Sequence, residues 1–346
     1  LRKLVKIAVV GAGIYGSTTA ILLAEHGHTV HLFDPLGTLQ AASAINQGRV
    51  HSGYHYPRSR ATICETLRAR LEFQHTYAAA IVRDTRHYYA IPHEGSRTSP
   101  DEFEAVMEEF RMPLRRVKPA WINFDFIARC YEVDEQIFDI DTLRAIVEER
   151  IRALNIRFTP RKFHHEEQGD FKFVVWATYG LSLKEKLFLR AKYQIAEKVL
   201  IELPADLRGI SLVVVDGPFT AFDPYGSSYL SQFGSAKHTN HWSAGDCGAV
   251  PASFLHLLNR PEFASVGCTK FHAMREDSAL AVPASRNARY LGSRFTMRVV
   301  EDLPDEDRRT LYLMEPCRGH LHLFSGKVVG AVKAARMVLE RVSLDA

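Results

Sequence analysis

The sequence predicts an α/β protein, a Rossmann-like domain interwoven with a β-rich α+β domain, and three observations carry this. The chain opens with a complete strand, glycine turn, helix and strand. Its 346 residues are about twice the length of a typical domain. Its second half holds short β-rich runs separated by turn residues, with no internal repeat and no flexible linker. The composition agrees, because 46% hydrophobic and 24% charged residues can bury a sizeable core. That excludes a disordered chain, a collagen-like chain and a small disulfide scaffold. No apolar stretch approaches the ~20 residues that a membrane-spanning helix needs. The N-terminal LRKLVKIAVVGAG lacks the small-residue cleavage site of a signal peptide.

The first unit reads element by element. KIAVV (6–10) is a continuous apolar run, as expected of a parallel strand buried on both faces. GAGIYG follows, then STTAILLAEHG, whose apolar positions recur at helical spacing, and HTVHLFD, a second strand closed by Asp34. Gly11 permits the tight turn, Gly13 lets a pyrophosphate approach the backbone, and Gly16 lets helix and strand pack closely. Ile14 and Tyr15 open the helix, whose N-terminus offers N–H groups and a positive dipole end to phosphates. Asp34 is placed to accept hydrogen bonds from an adenosine ribose. The fingerprint alone leaves NAD and FAD open.

Further along, NQGRVHSGYHYPRSR (46–60) is dense in His, Tyr and Arg, and a helix is expected over residues 61–77. Short apolar patches over 86–134 and β-rich runs over 191–233 fit a second domain, with Asp216-Gly217-Pro218 turning between two strands. Residues 261–281 read as a helix opened by Pro261.

Together these segments resemble the D-amino-acid-oxidase-like (DAO) superfamily of FAD-dependent oxidoreductases. NQGRVHSGYHYP is most similar to the segment of L-2-hydroxyglutarate dehydrogenase-type members. FDIDTLRAIVEERI (138–151) resembles the start of the helix after the substrate-domain excursion, and FVVWATYG (173–180) a strand ending near the cofactor. LHLFSGKVVGAVKAARMV (321–338) resembles the last strand, flavin-contacting turn and C-terminal helix. The resemblance implies an FAD-binding domain of residues 1–88, 135–182 and 290–346, and a substrate domain of 89–134 and 183–289. It implies non-covalent FAD, since no residue stands out for attachment, and a flavin site between the domains.

It also implies candidate roles. Ser43, Asn46, Gln47 and Gly48, with Thr178 and Gly180, are expected along the cofactor. Ser325, Gly326 and Lys327 form a strand-to-helix turn whose N–H groups and cation suit the electron-rich edge of a flavin. His51 is the candidate acid/base at the reacting carbon, and Lys327 a second catalytic candidate. Tyr54, Tyr56, Tyr225 and Tyr229 are candidate pocket residues, and Arg58 and Arg318 candidate carboxylate anchors. The expected reaction is oxidation of a CH–NH carbon in a small amine or amino-acid-like substrate. The alternatives are a CH–OH carbon of a 2-hydroxy acid, a natural-product tailoring reaction, an NAD(P)-dependent dehydrogenase, or a non-catalytic dinucleotide-binding protein.

The 44 Lys and Arg against 40 Asp and Glu are scattered, with no stripe or reader motif for nucleic acid. Five cysteines without a C-x-x-C pair read as reduced, mostly buried thiols of a cytoplasmic protein. The pairs His320/His322 and His238/His241 lack accompanying ligands, so no metal is expected. No G-x-S-x-G elbow supports a serine hydrolase.

Overall fold

The structure is a computed structural model that describes residues 4–180, 191–245, 250–302 and 309–345. The opening unit forms as its spacing requires: strand Lys6–Val10, helix Ile14–Glu25 and strand Thr29–Phe33. Among the described residues, strand Lys6–Val10 lies within a six-stranded sheet. On one side of it run Thr29–Phe33 and Arg157–Thr159, and on the other Phe173–Trp176 and His320–Phe324, all parallel. An antiparallel edge strand, Tyr312–Cys317, completes the sheet. Alternate residues of the first strand serve opposite faces. Ile7 and Val9 pack under helices Ile14–Glu25, Ile140–Ala153 and Ala331–Leu344. Ala8 and Val10 pack with Phe33, Phe163, Val174 and Trp176 on the other side. Burial on both faces is why KIAVV has no polar alternation.

The C-terminal helix follows from its stripe. Ala331, Ala334, Ala335, Val338 and Val342 are buried and recur at helical spacing. The helix expected over 61–77 is found at Arg60–Thr76. The helix expected over 261–281 is shorter, Phe271–Ala281. Residues before it run irregularly because Ala264 bridges to Ser293 of a neighbouring strand and Gly267 disfavours helix.

A second sheet has nine strands among the described residues. Its long pair, Ala191–Glu202 and Arg289–Glu301, is antiparallel along its whole length. Strands Ser231–Ser235, Thr220–Pro224, Ile210–Val214, Arg86–Pro92, Ile127–Val133 and Leu114–Val117 continue the sheet, and Asn240–Gly245 pairs with Ala191–Glu202. Residues 86–88 and 290–301, expected in the FAD-binding domain, pair instead within this large sheet. The expected boundary at 182/183 lies outside the described residues. A small sheet of Arg49–Val50, Gln136–Phe138 and Ile81–Val82 sits at the junction.

The two faces of the large sheet differ. One carries Val199, Ile201, Leu212, Phe222, Phe233 and Tyr88 under helix Phe271–Ala281. The other packs Tyr89, Ile91, Tyr131 and Val213 with Phe103 and Met107 at one end, but carries polar residues at its centre. Register puts Lys198 opposite Arg294, Gln194 opposite Arg298, Asp223 opposite Gln232 and Ser211 opposite His87, so period-2 alternation places these polar side chains on that face. No helix among the described residues is long and apolar enough to cross a membrane. Of the described cysteines only Cys130 is buried, whereas Cys64, Cys268 and Cys317 are exposed, which corrects the expectation of mostly buried thiols. Cys247 lies outside the described residues.

His87 on the polar face gives the fold an acid sensitivity. Burial, reinforced by the Arg49 guanidinium, pushes its imidazole down to about 4. A depressed histidine favours the folded state fully above its unfolded value near 6.5, and that stability is lost as pH falls toward 4, about 3 kcal/mol in all. Thermal unfolding of His87→Asn and wild type at pH 7.5 and 4.5 checks this. The variant is expected to lose less stability over the interval, and equal losses would refute the assignment.

Candidate active site

Parallel pairing brings four loop starts to one edge of the six-stranded sheet: Gly11, Asp34, Thr178 and Ser325. This is the C-terminal edge, where open parallel sheets bind ligands, and the strand order reverses at the first strand. At Gly11 φ is +100° and a Cβ would stand 2.6 Å from the Ala177 carbonyl oxygen. A Cβ at Gly16 would overlap the Gly11 carbonyl oxygen. Both glycines are therefore required by the fold itself. Gly13 differs. It caps the helix in extended backbone, and a Cβ there would meet only Ser43 Oγ, at 3.0 Å.

The neighbouring groups organise around this turn. The Ile14 N–H donates to Ser43 Oγ at 2.9 Å, while the N–H groups of Tyr15 and Gly16 stand in the helix's first turn, where no intrahelical acceptor exists. Asp34 Oδ2 accepts from the Ala12 N–H at 2.8 Å and Oδ1 from the Leu36 N–H at 2.7 Å, leaving each oxygen a further acceptor position. The Tyr15 hydroxyl donates to the Lys327 carbonyl, tying the helix start to the C-terminal turn, and burial raises its pKa well above the ordinary phenol value. The Lys327 N–H donates to Ser325 Oγ at 3.3 Å, and Gly326 between them is exposed. Gly180, with φ +75°, accepts from the Tyr193 hydroxyl through its carbonyl at 3.1 Å.

Segment 46–56 lies across the polar face of the large sheet. The Asn46 amide braces its own turn, donating to the Ala42 and Ser43 carbonyls and accepting from the Gly48 N–H at 2.7 Å, so it does not reach outward as expected. Gly48, with φ +66°, accepts from the Phe138 N–H at 2.7 Å. The Gln47 amide and Lys198 Nζ both sit over Gly234, 2.5 and 3.2 Å from where its Cβ would be. Arg49 is buried. Its guanidinium pairs with Glu135 Oε2 and Asp223 Oδ1, each at 2.6 Å, and donates to the Tyr89 hydroxyl at 3.2 Å. Burial alone would lower the pKa of Arg49, but Asp223, Tyr89 and Glu135 outweigh it and hold the guanidinium charged. His51 Nδ1 faces Glu135 Oε1 at 3.7 Å. The Lys327 ammonium stands 3.0 Å from the centre of the Tyr56 ring, and the His51 and Tyr56 rings are 5.9 Å apart.

Several expected site residues are engaged elsewhere. Arg318 precedes strand His320–Phe324, at the opposite end from Ser325, and its side chain is 80% exposed beside Asp345, so it is too remote to anchor a substrate at this edge. Tyr54 is a core residue whose hydroxyl donates to the Pro113 carbonyl at 2.9 Å. Arg58 is paired with Asp216, whose carboxylate also accepts from Thr98. Tyr225 packs edge-on against Phe263 with ring centres 5.4 Å apart, and Tyr229 is exposed. His238 and His241 are engaged by Asp277 and Glu197 at 2.8 and 2.7 Å. Arg49, Glu135, Asp223 and Lys198 escape a reading of the sequence. The one available signal is alternation in AKYQIAEKVLIEL, which puts Lys198 in phase with Gln194 on one face of a strand.

An open parallel sheet with a glycine turn, a helix N-terminus and an acid at its C-terminal edge defines a dinucleotide-binding protein. Residues 6–154 match the model of the DAO family, described as FAD dependent oxidoreductase. The chain is 26% identical over 375 residues to the FAD-dependent monooxygenase kojA of Aspergillus flavus, covering 98% of this chain and 86% of that protein. It is 25% identical over 241 residues to the FAD-dependent monooxygenase FPY4 of Fusarium mangiferae, covering 67% of this chain and 64% of that protein, just under two thirds of its length. Its fold is similar to that of glycine oxidase from Geobacillus kaustophilus, with a TM-score of 0.71, 14% identity, and coverage of 98% of this chain and 95% of the other. Over residues 6–154 the chain is similar to the DAO family of FAD-dependent oxidoreductases, and FAD is the cofactor that this match and the FAD-dependent relatives point to. The finer likeness of residues 46–57 to L-2-hydroxyglutarate dehydrogenase-type members gains no support from these comparisons.

The residues present fit FAD, since Gly13 leaves the helix N-terminus open and Asp34 keeps acceptor positions for ribose hydroxyls. Gly13→Val is therefore expected to purify largely without flavin while staying folded, because its side chain meets one serine hydroxyl inside the protein. Absorbance of the purified variant checks this, and a full complement of FAD would contradict it.

Proposed function

We propose that the protein oxidises a CH–NH carbon in a small, carboxylate-bearing substrate of the amino-acid kind, with His51 as the base. The observation that carries this reading is the cationic lining of the polar face beside segment 46–56. Lys198 is buried there next to Gln47, and Arg298 donates to Gln194 Oε1 at 2.8 and 3.0 Å. A carboxylate finds its counter-charge in such surroundings, whereas a simple cationic amine adds like charge.

Bound FAD would supply the two-electron acceptor for the hydride of the substrate C–H bond. Ser43, Gln47, Gly48, Thr178 and the Ser325–Gly326–Lys327 turn would hold it. Lys198 and Arg298 would hold the carboxylate, and Lys327 would contribute a fixed positive charge over Tyr56. His51 would take the proton of the substrate N–H as the C–H bond breaks. Burial and Lys327 keep its imidazole below the usual histidine pKa, so it is neutral and able to accept at pH 7.

A second reading is oxidation of a CH–OH carbon in a hydroxylated metabolite, since the same base and anion site suit a hydroxy acid. Anaerobic mixing of holoprotein with amino acids, N-alkyl amino acids and 2-hydroxy acids tests both. Bleaching of the flavin by the amino acids is expected. Bleaching by hydroxy acids alone selects the second reading, and no bleaching by any refutes both.

Two variants test the assigned groups. His51→Ala is expected to keep the flavin spectrum and slow its reduction by ~10²–10⁴-fold. Lys198→Met is expected to weaken binding of a carboxylate substrate with little change in the limiting rate. Burial pushes the Lys198 ammonium down to about 8, so it is charged below that pH and neutral above it. Substrate affinity in wild type should accordingly fall as pH rises through about 8, and Lys198→Met should lose that dependence. Titrations of substrate binding at pH 6.5 and 9 check both.

A further inference from the structure

We propose that Glu135 is a positioning residue that holds His51 with Nδ1 protonated and turns its Nε2 lone pair toward the substrate. This rests on the reading of His51 as the base and names the group that prepares it.

Glu135 lies in the short connection between strands Ile127–Val133 and Gln136–Phe138, and its side chain has no solvent exposure. Three donors occupy the carboxylate. Oε2 accepts from Arg49 Nη1 at 2.6 Å and from the Tyr89 hydroxyl at 2.9 Å, and Oε1 accepts from the Ser52 N–H at 2.8 Å. An ionised carboxylate offers about four acceptor positions. The remaining one is on Oε1, the oxygen that faces His51 Nδ1 at 3.7 Å. That separation is longer than a hydrogen bond, and a shift of less than about 1 Å closes it.

The direction of the proton follows from charge. Burial would raise the carboxyl pKa of Glu135, but His51 and Arg49 outweigh it and hold the group well below the usual range. An ionised carboxylate has no hydrogen to give, so the imidazole must be the donor. Neutral His51 with its proton on Nδ1 has its lone pair on Nε2. Nδ1 is buried, yet the side chain is 18% exposed, so the exposure falls on its other atoms. The charged and titratable groups around the ring are Lys327 and Arg49, which disfavour a second proton, Glu135, which favours it, and the His55 and Tyr56 rings, each centred 5.9 Å away.

In the reaction, the substrate N–H (or O–H) proton would pass to Nε2 and bound FAD would supply the acceptor for the hydride, so the substrate would lose two electrons and two hydrogens. The imidazolium formed then lies against the Glu135 carboxylate. Arg49 holds that carboxylate in place and is itself anchored to Asp223 in the large sheet.

Long-range ¹H–¹⁵N correlation spectra of ¹⁵N-histidine-labelled holoprotein read the His51 tautomer directly, with His51→Gln supplying the assignment. A proton on Nδ1 is expected. A proton on Nε2 in wild type would overturn the proposal without any variant. Glu135→Gln keeps the shape and removes the charge, so the His51 titration and the acid limb of flavin reduction should both move to lower pH by about one unit. An unmoved titration and limb in a folded variant would also overturn it. The two readings fail separately. If His51→Ala is reduced at the normal rate, the assignment of the base is lost, whatever the tautomer proves to be.

Discussion

The Arg49 guanidinium, buried between Glu135 and Asp223, is the interaction on which the arrangement of the site depends. Its three parts come from three places: a junction strand, the connection before a second junction strand, and the centre of the large sheet. A buried cation left without either partner would be an uncompensated charge, a loss of about 3–5 kcal/mol. The requirement is therefore geometric as well as energetic. Segment 46–56 has to lie where both carboxylates reach one guanidinium. Tyr89 donates to Glu135 and Ser211 to Asp223, adding neutral hydrogen bonds to the two carboxylates.

That constraint explains why the large sheet is two-faced. Its outer face is an ordinary apolar core under helix Phe271–Ala281. Its inner face gives up apolar packing at the centre, where Lys198, Gln232, Asp223, Ser211 and His87 project. Polar side chains so deeply placed need partners: Ser211 and Asp223 bond to each other and to Arg49 of segment 46–56, and His87 pairs with Thr85. The same desolvation that makes the arrangement costly depresses Lys198, His51 and His87, which is how a folded chain obtains groups that change charge in unusual pH ranges.

The sheet topology supplies the other half of the site. Parallel pairing delivers Gly11, Asp34, Thr178 and Ser325 to one edge, although they are spread from residue 11 to residue 325 of the sequence. The Tyr15 hydroxyl on the Lys327 carbonyl then joins the first helix to the C-terminal turn. Lys327 can stand over Tyr56 only because that turn is held in place.

The opening unit is legible in the sequence because its information is local. Gly16 is required by the Gly11 carbonyl five residues before it, and KIAVV and the stripe of the last helix show the run and the 3.6 period that burial imposes. Asn46 and Tyr54 are not legible in this way, because residue type in a polar run does not say which way a side chain turns. Asn46 closes its own loop and Tyr54 fills a core. Arg318 is hidden for a different reason, since only the strand's direction shows that it lies at the far end from Ser325. By itself, then, the chain's spacing determined a dinucleotide unit, and its longer segments a cofactor class. Tertiary structure alone decided that Arg49, Glu135, Lys198 and Asp223 share one face. Their meeting depends on strand order and register between segments far apart in sequence, and no local period encodes either.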